Sequence, residues 1–170
     1  KVKHIITNNK IIIMKHLYYL FLLLIAFASI GIAQTPNASG VLFVNKNVTG
    51  GTQSGDSWAN ALSEAADAFK AAAQLNATQP GTVSQIWVAA GTYKPKYRPD
   101  NLNSTNVNDR ANTFLMVMDV KVYGGFTGTE TTLSERNLNN GKESILSGDI
   151  GIQGNNTDNA YNVVISINNV

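Results

Sequence analysis

Cysteine is absent from the 170-residue chain, and histidine occurs only at His4 and His16. Without cysteine there is no disulfide framework, no thiol nucleophile and no site for a lipid-modified cysteine. Both histidines lie in an N-terminal segment that we predict to be removed. The remaining chain therefore lacks the residues of a Ser-His-Asp triad and the usual ligands of a zinc site. Any catalysis would have to use carboxylates, lysine, arginine or tyrosine.

A secretory signal peptide is predicted at residues 14–33. A short basic start precedes an unbroken apolar run over residues 17–28, and small residues lead to a cleavage position after Ala33. The alternative is a membrane anchor, but a spanning helix needs about 20 apolar residues. Residues 17–32 supply only sixteen positions, interrupted by a serine and a glycine. We expect residues 1–13 to be a non-native extension from a start codon assigned too early.

Removal of this leader would reverse the net charge. The whole chain has 13 basic and 11 acidic residues, a formal charge of +2. Four of the basic residues precede Ala33 and all the acidic ones follow it, which leaves nine against eleven, a charge of −2. The basic character therefore gives no argument for nucleic acid or anionic membranes as partners. We expect a secreted or cell-surface protein with no nucleic-acid partner and no membrane span after cleavage.

The segment after the leader is rich in asparagine, with 19 from residue 34 onward, and its apolar runs are short. This pattern predicts short strands separated by sharp corners. Residues 34–40 are predicted to be a flexible lead-in, and residues 41–170 one domain. A stack of parallel coils fits this order. An antiparallel sandwich is the alternative, but its hairpins favour Asn-Gly turns, and Asn140-Gly141 lies inside a long loop.

One amphipathic helix is predicted between residues 58 and 75. Apolar residues recur there at steps of four and three, as on one face of a helix. They are Trp58, Leu62, Ala65, Phe69 and Ala72. We predict that Trp58, Leu62 and Phe69 form a structural cap over the first strands. A membrane-binding helix is the alternative, but it would need a basic polar face, whereas this one has two acids and one lysine.

Seven strings occur in order along the chain: VLFVNKN, GDSWANAL, IWVAAGTYKP, VKVYGGFTGTET, LSERN, ILSGDI and NAYNVVI. Together they resemble the N-terminal region of large bacterial secreted and cell-surface proteins with a right-handed parallel β-helix, the pectin-lyase-like architecture. The resemblance covers nearly all of residues 41–167. It implies an all-β fold, the start of a right-handed parallel β-helix with one N-terminal capping α-helix. It also implies an incomplete fragment, truncated at its C-terminus.

The resemblance implies a non-catalytic part of an exported surface protein, with a structural or adhesive role and a polysaccharide or cell-surface ligand. The alternative is the N-terminal part of a secreted polysaccharide lyase or glycoside hydrolase whose catalytic residues lie beyond Val170. Asn156-Thr157-Asp158 matches one short polygalacturonase element, but the paired Asp and the Gly-His-Gly element are missing. We expect Arg136 to pair with nearby Glu130 and Glu135. No catalytic or cofactor-binding residue is assigned.

Two small-ligand candidates remain. Asp149 and Asp158 bracket a loop rich in Gly and Asn, which could supply the oxygen ligands that Ca²⁺ prefers. The alternative is a solvated turn in which Asp149 caps backbone amides. Tyr97, in a proline-containing loop, is the candidate for stacking on a carbohydrate. Tyr123 and Tyr161 adjoin predicted strands and are expected to lie in the core.

Cleavage after Ala33 predicts Gln34 as the first residue of the exported chain. N-terminal sequencing of protein recovered from the medium or cell surface of an expressing bacterium checks this. A chain that keeps its apolar run after export would instead support the membrane anchor.

Overall fold

The computed structural model describes Lys15, residues 33–138 and residues 141–167. The chain divides into two units, Lys1–Gly31 and Ile32–Val170, and the architecture below belongs to the second. The predicted extension 1–13 and signal peptide 14–33 fall outside the described residues, apart from Lys15 and Ala33. Within the described part of the chain, no helix has the length and apolar character needed to cross a membrane.

The described residues form one α-helix, one 3-10 turn and seven short strands. The helix is α1 (Ala65–Thr78), and the 3-10 turn is Leu133–Glu135. The strands are β1 (Val41–Val44), β2 (Gln85–Ala89), β3 (Gly91–Tyr93), β4 (Phe114–Leu115), β5 (Lys121–Phe126), β6 (Ser144–Leu146) and β7 (Val164–Ile165).

All strand pairs are parallel, and they form three small sheets. The largest sheet has the order β1-β2-β5, with Val41 opposite Gln85 and Gln85 opposite Lys121. β3 pairs with β6, and β4 pairs with β7. Parallel neighbours cannot be joined by a tight hairpin, so each pair is connected by a long segment. These connections carry most of the polar residues.

The prediction of an all-β right-handed parallel β-helix is wrong. The chain has mixed α/β content, and its three sheets of three, two and two strands neither close nor continue as a solenoid. Much of the chain between the strands is held by local side-chain turns instead. In these, asparagine accepts from an amide two residues on, as Asn101 does from Asn103 and Asn106 from Asn108. Such local bonds compete with sheet ladders for the same backbone groups.

The β1-β2-β5 sheet is buried on both faces, because alternate residues of a strand point to opposite sides. On one side, Leu42, Val44, Ile86 and Val88 pack with Phe69 and the alanines of α1. On the other side lies a second cluster that contains Val41, Phe43, Trp87 and Phe126. A short parallel sheet covered on both faces is what near-continuous apolar strands require.

We call the second cluster the aromatic cluster: Phe43, Trp58, Trp87 and Phe126. Trp87 stacks on Phe126 with ring centroids 4.7 Å apart, and Phe43 lies edge-on to Trp58 at 4.9 Å. The indole Nε1–H of Trp58 donates to the carbonyl of Glu130 at 2.8 Å. This bond ties the segment before α1 to the loop after β5.

The predicted helix begins too early, since α1 starts at Ala65 and Trp58 and Leu62 precede it. The Leu62 amide donates to the carbonyl of Phe43 at 2.9 Å, and its carbonyl accepts from Asn45 at 2.8 Å. These bonds to the edge of β1 replace those of a helix. Leu62 and Phe69 are both buried against the sheet, so the apolar spacing from Trp58 combines two different segments.

Residues 34–40, predicted to be a flexible lead-in, carry several hydrogen bonds. The Thr35 amide donates to the Ser54 carbonyl at 2.8 Å. The side chain of Asn37 accepts from the amides of Ser39 and Val41, both at 2.9 Å. The lead-in is thereby joined to the start of β1.

Glu130 organises the loop after β5. Its carboxylate accepts from the amide and hydroxyl of Thr127 at 2.6 and 2.7 Å, and from the amides of Gly128 and Thr129 at 3.0 Å each. Burial alone would raise the pKa of this carboxyl. The hydrogen bonds from Thr127 and Thr129 outweigh burial and lower the pKa to about 2.

Replacing Trp58 with Ala should lower the free energy of unfolding by about 3 kcal/mol, because ring contacts are lost and the Glu130 carbonyl loses its donor. Trp58→Phe keeps a ring and should cost about 1 kcal/mol. Urea denaturation of both variants measures this. A Trp58→Ala cost below about 0.5 kcal/mol would show that the indole is dispensable.

Glu130 predicts a pH dependence of stability. Its folded pKa lies below the ordinary 4.5, so its contribution is present above pH 4.5 and is lost as pH falls towards 2. Glu130→Gln should cost about 1–3 kcal/mol at neutral pH and flatten the change in stability across that window. Urea midpoints at several pH values measure it, with the exposed Glu143→Gln as control. If stability changed with pH equally in wild type and Glu130→Gln, the lowered pKa of Glu130 would be contradicted.

Candidate functional sites

A groove of about 300 Å³ lies between the loop that follows β3 and the segment that leads into β7. Its lining residues include Arg98, Asp100, Arg110, Tyr161 and Asn162. Tyr161 is 68% exposed, although the guanidinium of Arg110 lies 4.4 Å from the centroid of its ring. The groove therefore offers an aromatic ring with one face backed by a planar cation.

Backbone bonds fix the position of this ring. The Tyr161 amide donates to the Arg110 carbonyl at 2.8 Å, and Arg110 Nε donates to the Asn159 carbonyl at 2.7 Å. Next to them, the Phe114 amide donates to the Val163 carbonyl at 2.9 Å, where β4 and β7 meet. These hydrogen bonds, together with the contact between the guanidinium and the ring, fix Arg110 and Tyr161 relative to each other.

Arg98 forms the polar wall of the groove. Its Nε and Nη2 donate to the two oxygens of Asp100, both at 2.9 Å, and its Nη1 lies 3.4 Å from Asp109. The hydrogen bond from Arg98 lowers the pKa of Asp100 below its usual range. Two carboxylates therefore hold the guanidinium of Arg98 and balance its charge. Arg98 and Asp100 together therefore offer a ligand hydrogen-bonding groups without a net charge.

Tyr97, predicted to stack on a carbohydrate, is partly buried and engaged. Its hydroxyl donates to Asp67 on α1 at 2.5 Å, and Lys70 lies 4.6 Å from its ring centroid. Burial, and next the hydrogen bond to Asp67, raise the pKa of Tyr97 well above its usual range. Lys96 also pairs with Asp67 at 2.9 Å. Tyr97 fastens its loop to α1, which leaves little ring surface for a ligand.

Tyr161 was expected in the core, and this expectation is wrong. It lies three residues before β7, in the corner rather than in the strand, and neither of its neighbours Ala160 and Asn162 is fully buried. Tyr123 lies in β5 and packs against the aromatic cluster, with Arg136 5.1 Å from its ring centroid. The sequence signal that separates the two is the Asn on both sides of the Ala160–Tyr161 pair.

Asp149 and Asp158 flank one closed loop. The amides of Ile150 and Ala160 both donate to the Gly148 carbonyl at 2.9 Å, which brings the two ends of the loop together. One oxygen of Asp149 accepts from the Gly154 amide at 3.0 Å. One oxygen of Asp158 accepts from the Ile152 amide at 2.9 Å. Both carboxylates therefore hold the same turn.

The second oxygen of each carboxylate has a different environment. Asp149 Oδ1 and Asp158 Oδ1 are buried atoms without a hydrogen-bond partner among the described residues, and so is Asn159 Oδ1. At Gly151, where φ is +70°, a Cβ atom would lie 2.7 Å from Asp158 Oδ2. Glycine is thus required for the backbone to approach this carboxylate. In the described ranges, no three His, Cys, Asp or Glu residues form a metal-binding group.

The lyase-like and hydrolase-like elements take structural roles. Arg136 donates to the carbonyls of Leu133 and Gly124 at 3.2 and 3.5 Å, rather than to the acids with which it was expected to pair. Glu135 accepts from the Thr131 and Thr132 amides and forms a capping box at the 3-10 turn. Asp158 of the Asn-Thr-Asp element holds the turn described above.

Two larger grooves also lie on the described part of the chain. One of about 320 Å³ is lined by Lys46, Lys94 and Lys96 together with Glu64, of which Lys46 pairs with Glu64 at 3.3 Å. The other, of about 470 Å³, is mostly apolar and lies between the C-terminal half of α1 and residues 115–119. Neither combines an exposed aromatic ring with fixed polar groups.

No family model, curated protein or solved structure matches the chain.

Proposed function

We propose that this protein is an exported, non-catalytic surface protein with an adhesive role, and that it binds polysaccharide in the groove of Tyr161 and Arg110. The observation that carries the proposal is Tyr161, a residue 68% exposed whose ring lies 4.4 Å from the Arg110 guanidinium within the groove. Tyrosine is enriched at binding surfaces, because its ring offers apolar contact area and its hydroxyl a hydrogen bond.

The chemistry of the groove suits a sugar chain. An aromatic face can pack on the apolar face of a pyranose ring, while a guanidinium donates hydrogen bonds to sugar hydroxyls and a carboxylate accepts them. Arg98 and Asp100 supply such groups within the same groove, and Asn162 adds an amide. A volume of about 300 Å³ is at the small end of ligand pockets. One or two sugar units of a longer chain would fill it.

An adhesive rather than catalytic role is supported by the residue types available. From residue 34 onward the chain has neither cysteine nor histidine. In the groove, Arg98 is already neutralised by Asp100 and Asp109, and Arg110 is used to hold Asn159 and Tyr161. These groups are arranged to bind and position rather than to exchange protons. Export is proposed from the apolar run and small residues of 14–33.

Affinity gel electrophoresis with xylan, a neutral polymer, and polygalacturonate, an acidic one, tests the proposal on the full chain. We expect retardation by at least one polymer, and Tyr161→Ala should weaken it about tenfold, as loss of one central aromatic contact does at binding surfaces. Tyr161→Phe keeps the ring and should retain binding. Met118→Ala removes an exposed side chain elsewhere and serves as the matched control.

Migration unaffected by either polymer, or equal retardation of wild type and Tyr161→Ala, would contradict the groove as the binding site. Incubation with each polymer followed by an assay for reducing ends and unsaturated products addresses catalysis. Product release by the wild-type chain would overturn the non-catalytic part of the proposal.

A further inference from the structure

We propose that the loop of residues 148–160 binds one Ca²⁺ ion through the unpartnered oxygens of Asp149, Asp158 and Asn159. The site is distinct from the polysaccharide groove and does not depend on it. Its support is the occurrence of three buried oxygen atoms without a donor within one short closed loop.

Buried oxygens without partners are costly. A carboxylate oxygen removed from water loses its hydration, and a hydrogen bond, an ion pair or a metal must replace it. Asp149 Oδ1 and Asp158 Oδ1 have no donor within reach, and neither residue forms an ion pair in the described part of the chain. Two carboxylates in one loop, neither of them in an ion pair, leave negative charge that a bound cation would compensate.

A solvated turn explains only half of the arrangement. It accounts for the oxygens that accept from the Gly154 and Ile152 amides. It does not account for the second oxygens, since an atom in a solvated turn would be exposed to water, and these atoms are buried. The amide-bound oxygens fix the orientation of both carboxylates, which is how ligands of a metal are commonly held.

The donor set selects among metals. Two carboxylates and an amide oxygen are hard ligands, typical for Ca²⁺ and Mg²⁺. Zinc favours nitrogen and sulfur ligands, and the chain has no histidine or cysteine after residue 33. The loop is rich in glycine and asparagine, which suits the adaptable coordination of Ca²⁺ better than the strict octahedron of Mg²⁺. Backbone carbonyls of the loop and water would complete the coordination.

The close approach at Gly151 adds to the argument. A side chain there would meet Asp158 Oδ2 at 2.7 Å, so only glycine lets the turn fold over this carboxylate. A loop that only needed to reverse direction would not require the backbone to lie so close to an acid.

Thermal unfolding of the full chain tests the site, after treatment with EDTA and then with CaCl₂ or MgCl₂ alone. We expect a saturable increase in melting temperature with Ca²⁺, complete by about 1–10 mM as for extracellular calcium sites. An equal concentration of Mg²⁺ should give a smaller shift. Isothermal titration calorimetry with CaCl₂ gives the affinity directly.

The variants Asp149→Asn and Asp158→Asn should weaken Ca²⁺ binding by at least about tenfold, because each loses a charged ligand. Asn at these positions still offers an acceptor to the Gly154 or Ile152 amide. In EDTA both variants should therefore melt at or slightly above the temperature of wild type, since repulsion between the carboxylates is reduced. Asp119→Asn, on an exposed residue outside the loop, is the matched control and should bind like wild type.

Absence of a Ca²⁺-dependent shift and of calorimetric heat in the wild-type chain would overturn the proposal. So would an undiminished shift in both loop variants. If a loop variant fails to fold, Asn159→Ala removes only the amide ligand, and its loss of Ca²⁺ affinity with an unchanged melting temperature in EDTA supports the site. Polysaccharide binding is measured separately, so failure of one proposal leaves the other to be judged by its own result.

Discussion

The hydrogen bond from the Trp58 indole to the Glu130 carbonyl joins two segments that are 72 residues apart in the chain. This bond brings together two segments that flank the aromatic cluster on one face of the β1-β2-β5 sheet. Trp58 brings the segment before α1 over Phe43 and Phe126, and Glu130 brings the loop after β5 to meet it. The carboxylate of the same residue folds that loop onto its own amides. Glu130 thus holds its own loop through its carboxylate and Trp58 through its carbonyl.

The proposed sites lie on connections rather than on strands. The β4–β7 pair brings residues 110–114 against residues 159–163, which places Arg110 beside Tyr161. The loop that carries Asp149 and Asp158 closes just before this point, through the bond from Ala160 to Gly148. Loops that carry binding residues need a fixed support. Here the support is a two-residue parallel pair with buried Phe114 behind it.

The sequence located several elements because local pattern and burial agree there. The apolar run Val41–Val44 is a buried strand, and Phe69 packs on the sheet from α1 as its helical spacing indicates. The start of the helix could not be read from spacing. Trp58 and Leu62 continue the helical spacing of Phe69. The backbone of Leu62 nevertheless forms its hydrogen bonds with the edge of β1 and not within a helix. The β-helix failed as a prediction because strand segments alone do not specify how sheets close.

In the candidate sites too, the sequence indicates the residue types, whereas their burial and contacts depend on the fold. Asp149 and Asp158 could be named as candidate Ca²⁺ ligands from the sequence, because acidic residues around a loop of Gly and Asn are visible there. The buried state of their second oxygens depends on how the turn folds back, which only coordinates reveal. The partial burial of Tyr97 and the exposure of Tyr161 depend on the fold in a similar way. A partner on α1, Asp67, draws Tyr97 inward, and no local pattern indicates a partner 30 residues away.

The contacts along the outer side of β1 also bear on how this protein behaves at high concentration. An unpaired strand edge is a template on which another chain can add a strand. The Phe43 amide donates to the Gly55 carbonyl and its carbonyl accepts from Leu62, so the outward-facing groups at the centre of the edge are already occupied by the protein's own backbone. The segment between β1 and α1 that contains Gly55 and Leu62 thus covers this edge. It protects the most apolar strand of the sheet from pairing between molecules.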